Sequence, residues 1–155
     1  MIKNDITAGL GNRKSETAIV GGELVNVLTG EIYKADVAIY GSKIAFVGDV
    51  SDHIDKKTKV IDAKGKYLVP GFIDGHVHPE SSLLSMTRFA ETVLPAGTTS
   101  VMTSLDEYAT VLGLPAIRYF LDETNKTPLK IFLVVPSRIP YIPWADTTGG
   151  FIGFK

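Results

Sequence analysis

The sequence predicts an α/β protein in which a small, mainly β domain precedes a series of parallel βα units. Three observations carry that prediction. Residues 17–66 are short β-branched strands separated by turns. After Tyr67 the strands become continuously apolar and alternate with helical stretches. Directly after the first apolar strand stands His76-Val77-His78.

Each element follows from local pattern. Residues 1–16, MIKNDITAGLGNRKSE, are polar and glycine-bearing and predict a loose arm. TAIV and ELVNVL read as strands, with TGE as a turn. ADVAIY and KIAFVG flank Gly41-Ser42, a two-residue hairpin connection in which glycine tolerates positive φ. KVIDA is a further strand before a turn at Lys64-Gly65. Short strands with partial alternation suit an antiparallel sheet or half-sandwich over 17–66.

Residues 67–155 follow a different pattern. LVPGFID is too apolar for a sheet with one wet face. SSLLSMTRFAETVL places Leu83, Met86, Ala90 and Val93 on one helical stripe. Pro95-Ala96-Gly97 ends that helix, and TTSVMT is a second strand. Residues 106–112 are helical up to Gly113, and Pro115 opens another helix, where its missing N–H costs nothing. Ala116, Ile117, Phe120 and Leu121 form that helix's predicted buried face, and LKIFLVV is a third strand. Apolar strands alternating with helices imply a parallel sheet covered on both sides.

Composition narrows the function. The chain has 155 residues, 45% apolar and 21% charged, with a formal charge of −1. Without a basic face, nucleic acid is not an expected partner. No cysteine is present, which excludes disulfides and thiolate metal sites. No apolar run reaches membrane-spanning length, and the N-terminus lacks a signal-peptide core. These features predict a cytoplasmic protein without a membrane partner.

Side chains at i and i+2 of an extended chain point to one side, so His76 and His78 present two imidazoles together. They stand at the carboxyl end of a strand, where parallel βα architectures carry their active sites. Neutral imidazole suits zinc, iron or manganese, and a catalytic metal normally takes three protein ligands and an open position. The pair is therefore part of a metal site. Glu80 is a ligand, a residue that orients one, or a cap on the following helix, and the cap is the favoured role. Ser81 and Ser82 read as helix N-caps. Asp74 orients a histidine ring or satisfies backbone donors at the strand end. His53 reads as a solvated loop residue.

DAKGKYLVPGFIDGHVH resembles the first-strand signature of the amidohydrolase superfamily, and HVHPESS, FAETVLPAGTTSV, EYATVLGLPAIRYFLDETNKTPLKIF and VVPSRIP resemble its adenine deaminase family. The similarity runs from about Gly21 to Pro140. It implies a partial β-sandwich followed by the first three βα units of a TIM-like (β/α)8 metal-dependent hydrolase barrel. It also implies His76 and His78 as ligands of a divalent ion (manganese, iron or zinc) and Glu107, with Glu80, as the catalytic carboxylates. The implied reaction is hydrolytic deamination of a purine base, adenine, to hypoxanthine and ammonia.

The sequence departs from the family at Pro79, at Arg138, and at Ser104-Leu105-Asp106-Glu107, where the family reads Asp-Pro-His-Glu and only the glutamate is kept. That change leaves open another cyclic amide or heterocyclic amine as substrate. Glu107 reads equally as a first-turn helix carboxylate, and Arg138 as a surface residue. A whole barrel takes roughly 250 residues, so the chain after Lys66 has room for about three of eight units. The expectation is an N-terminal fragment, inactive alone, and either a homo-oligomer or paired with a complementing segment of the same enzyme. A non-catalytic remnant or interaction module is the alternative. The loop carrying Pro140, Tyr141, Pro143 and Trp144 is a candidate face for such a partner.

Overall fold

The computed structural model describes residues 2–135. Arg138 and the Tyr141–Trp144 loop lie outside the described residues. The chain divides into two compact units between Pro70 and Gly71.

The first unit opens with helix α1 (Ile2–Gly9), where the sequence pattern suggests a loose arm. An eight-residue helix is marginal alone and needs tertiary packing. Ala8 supplies it, being fully buried. Strands β1 (Thr17–Val20), β2 (Glu23–Asn26), β3 (Glu31–Lys34), β4 (Asp36–Tyr40), β5 (Lys43–Gly48), β6 (Lys59–Asp62) and β7 (Tyr67–Leu68) follow. They form two sheets, ordered β5-β4-β1-β6 and β3-β2-β7. Three pairings are antiparallel (β1–β4, β4–β5, β2–β3) and two are parallel (β1–β6, β2–β7). Gly41 turns the β4–β5 hairpin at φ +59°. β3 is the strand the sequence reading passes over. All four of its residues stay exposed, so burial imposes no apolar alternation on it.

The small core holds Ala18, Ala38 and Val50 against Val20, Phe46 and Ile54. A concave apolar space of about 640 Å³ lies among Leu24, Val37, Ile39, Ile44, Tyr67 and Leu68, so the two sheets form a partial sandwich. His53 is buried at 5% exposure, which corrects its reading as a solvated residue. Its ring stacks on Phe46 at 4.4 Å between centroids, and Nε2 lies 3.1 Å from the Gly9 carbonyl. The histidine thereby helps dock α1.

The second unit alternates strand and helix: β8 (Phe72–Asp74), α2 (Met86–Val93), β9 (Thr98–Thr103), α3 (Asp106–Leu112), α4 (Leu114–Thr124) and β10 (Lys130–Leu133). The sheet order is β10-β9-β8, and both pairings are parallel. The expected strand over 68–74 is broken at Val69–Gly71. Tyr67–Leu68 pair with β2 in the first unit, and only Phe72–Asp74 enter this sheet.

Met86, Ala90, Val101, Leu105, Phe120 and Leu129 form one buried cluster between the helices and one sheet face. Leu83, expected on the buried stripe, is 92% exposed. Its φ of +61° breaks the helix before α2 begins, so its side chain never shares the α2 face. Leu121 is likewise exposed, while Glu123 two residues on is buried. Among the described residues the sheet is not covered on both sides: Phe72, Ile73 and Phe132 are exposed.

A Cβ on Gly71 would meet the Thr99 side chain, with Thr99 Cβ only 2.8 Å away. No rotamer of threonine moves its own Cβ, so the backbones of the two strands would have to part. Gly71→Ala should cost about 1–3 kcal/mol in denaturant unfolding, the usual range for overpacking. Thr99→Gly in the same chain should recover a measurable part of that cost as a coupling energy. Additive effects of the two substitutions would rule out this contact as the reason for the glycine.

Candidate metal centre

β8 ends at Asp74, and the chain bends at Gly75 and His76 before His78 returns to extended backbone. The Val77 N–H donates to the Met102 carbonyl at 3.0 Å, tying the His-x-His segment alongside β9. Val77 packs against the buried cluster. His76 and His78, on either side of it, meet: their Nε2 atoms are 3.2 Å apart and their rings stand edge to face at 5.0 Å. His76 is exposed and His78 half-buried. Asp74 Oδ1 accepts the His76 backbone N–H at 3.0 Å, so this aspartate fixes the backbone at the strand end.

The donor set suits part of a metal site. Two nitrogen ligands on one ion, each at about 2.0–2.1 Å and a tetrahedral angle, stand about 3.3 Å apart. The observed 3.2 Å agrees. Among the described residues no cluster of three His, Asp or Glu residues gathers that could hold a metal ion. The chain thus offers two converging imidazoles where a catalytic ion normally takes three protein ligands.

Glu80 lies in a short 3-10 helix, Pro79–Ser82, with His78 at its N-cap position and no side-chain cap hydrogen bond. The favoured capping role is therefore not what the structure shows. The carboxylate is buried, its oxygens make no hydrogen bond, and Oε1 lies 3.5 Å from His78 Nδ1. Ser81 and Ser82 do not cap α2 either. Ser85 does, its hydroxyl accepting the Arg88 N–H at 3.4 Å. The turn at Leu83 moves the N-cap of α2 three residues beyond Ser82.

Ser81 has another task. Its hydroxyl donates to both oxygens of Glu107, at 2.7 and 2.9 Å. Glu107 is exposed in the first turn of α3, whose N-cap residue Leu105 is fully buried in the αL conformation at φ +57°. The Ser104–Glu107 segment thus gives a core residue and a surface carboxylate. Thr103 and Ser104, at the carboxyl end of β9, carry buried hydroxyls without a hydrogen-bond partner. The sequence reading names neither Thr103 nor Tyr108, and it names Ser104 only as a departure from the family pattern. A Thr-Ser pair closing an apolar strand is the one signal that could have flagged them. Tyr108 stands beside Phe120, and burial first, then the nearby Glu80 charge, raise its phenol above the ordinary value.

Comparison with known proteins agrees with this geometry. Residues 59–121 match the model of the amidohydrolase family. The fold resembles D-aminoacylase, whose solved structure concerns its binuclear metal center, with 32% identity over 57% of this chain and 18% of that one at a TM-score of 0.50. The 59–121 stretch of the chain is similar to the amidohydrolase family. Over nearly its whole length the chain is similar to curated adenine deaminases. It is 50% identical to adenine deaminase 4 of Rhizobium meliloti (strain 1021) over 145 residues, 94% of this chain and 24% of that protein. A crystal structure of an adenine deaminase matches at a TM-score of 0.54 and 27% identity, over 79% of this chain and 30% of that one. The chain spans about a quarter of the length of the curated relatives it matches.

The Tyr108 phenol gives a pH test of this neighbourhood. Its pKa is raised on folding, so the unfolded chain loses the proton first as pH rises. The stabilisation is whole below about pH 10, the ordinary tyrosine value, and is lost as pH climbs through the folded value. Tyr108→Phe removes the hydroxyl and keeps the ring. The stability difference between native and variant, measured by urea unfolding, should shift against the native chain above pH 10. A difference that stays constant from pH 8 to 11 would contradict the placement of Tyr108.

Proposed function

We propose that this chain supplies the opening strands and the first two metal ligands of an adenine-deaminase-like hydrolase, which converts adenine and water to hypoxanthine and ammonia. The observation that carries the reading is the convergence of His76 and His78 Nε2 atoms just past the carboxyl end of β8. The 50% identity to a curated adenine deaminase supports the substrate class.

His76 and His78 would hold the ion, of the zinc, iron or manganese class. Bound there, it would lower the pKa of water to about 7 and so supply a nucleophile at neutral pH. Glu107 is the carboxylate proposed to handle protons, and the Ser81 hydroxyl fixes both of its oxygens. The buried Leu105 in a segment that carries an imidazole elsewhere in the family favours a second reading, a different heterocyclic amine or cyclic amide in the same pocket.

The described part of the site is open. β10 pairs only with β9 among the described strands, and its Phe132 side chain is exposed. A strand edge of that kind associates with another chain. We therefore place the 155 residues in a homo-oligomer or beside a complementing segment of the same enzyme.

The purified chain loaded in turn with zinc, manganese and iron tests the reading by metal binding and by ammonia release from adenine. Weak metal binding that falls about tenfold or more in His76→Ala and His78→Ala is expected, because each removes one of two ligands. Affinity unchanged in both variants would sink the ligand assignment. Adenine turnover by the chain alone, abolished by His76→Ala, would show that a complete site assembles within it and would overturn the fragment reading.

A further inference from the structure

We infer that Glu80 is a positioning residue for His78. Its buried carboxylate accepts from the His78 Nδ1–H and leaves the Nε2 lone pair aimed at His76. The inference rests on the ligand reading of the two histidines and assigns the residue that makes one of them a ligand.

Two unpaired polar groups face each other here. Glu80 has a side-chain exposure of 4%, and neither of its oxygens has a hydrogen-bond partner among the described residues. The His78 Nδ1 atom is likewise buried and unpartnered. The two are 3.5 Å apart, so a movement of roughly half an ångström gives an ordinary hydrogen bond. An ionised carboxylate only accepts, which requires Nδ1 to carry the hydrogen. A neutral imidazole has one N–H, so Nε2 is then the acceptor. That assignment also explains the 3.2 Å contact between the rings, with His76 Nε2–H donating to His78 Nε2. An ion held by the pair would occupy the place of that hydrogen, with His76 carrying its hydrogen on Nδ1 instead and His78 unchanged.

Placement by the chain makes the contact repeatable. Pro79 fixes φ between the two residues and is itself buried. The 3-10 turn, closed by the Leu83 N–H donating to the Glu80 carbonyl, returns the carboxylate beneath the ring. A glutamate that served only as a solvated first-turn charge would not sit in a buried position without a backbone donor.

The test uses the metal-free 155-residue chain labelled with [15N]histidine, in solution or by magic-angle spinning, at a pH where the imidazoles are neutral. Three histidines give three pairs of ring-nitrogen signals, and His53→Gln and His76→Gln assign two of them. Native chain and Glu80→Gln should both show His78 protonated at Nδ1, since the glutamine carbonyl still accepts. Glu80→Leu should move that proton to Nε2, and its zinc affinity should fall about 10- to 100-fold. Nε2–H in the native chain, or a tautomer unaffected by Glu80→Leu, overturns the inference. If Glu80→Leu does not fold, the native and Glu80→Gln spectra still decide it. Nδ1–H in a native chain that binds no zinc leaves the Glu80 contact standing and removes the metal reading instead.

Discussion

The second unit depends on one strand pairing. β8 is three residues long, yet it lies parallel to β9, and the Val77 N–H extends the ladder beyond it to the Met102 carbonyl. Val77 is anchored toward the buried cluster, and its two histidine neighbours meet outside it. Gly71 permits the approach, since the Thr99 side chain fills the space where another residue's Cβ would sit.

Around that pairing, polar groups are buried in a manner a purely structural edge would avoid. Unpaired buried polar atoms cost about 1–3 kcal/mol each, more when charged. Glu80, His78 Nδ1, Thr103 and Ser104 all contribute such atoms near the carboxyl ends of β8 and β9. The apolar cluster beneath, from Met86 to Leu129, supports this cost. Strain concentrates at the same edge: Leu83 and Leu105 are the non-glycine residues at positive φ among those described, and each follows a site segment. Residues held against conformational preference in this way are typical of sites whose geometry matters more than their stability.

Similarity to the amidohydrolase family runs from β6 into α4, and the strand end is where parallel βα architectures place their chemistry. The departures lie on the same edge. Pro79 is buried between the second histidine and Glu80, and Leu105 enters the core one residue before Asp106, the position at which the family pattern has its imidazole. The histidine pair thus stands at the end of β8, while the segment after β9 departs from the family pattern.

The sequence by itself determined the period of each element and therefore most of the fold. TTSVMT and KIAFVG form strands over the residues their patterns mark, and Pro115 stands in the first turn of α4. It also placed His76 and His78 together just past the end of the first apolar strand. Tertiary structure alone decided what lies outside that local logic. The docking of α1 through Ala8 and His53, the exposure of Leu83 and the exchange of Leu121 for Glu123 depend on distant contacts or on a single positive φ. So do the Ser81–Glu107 and His78–Glu80 contacts. Hydrophobic periodicity says which face is buried, but a carboxylate's partner is set by a three-dimensional approach that no spacing along the chain encodes.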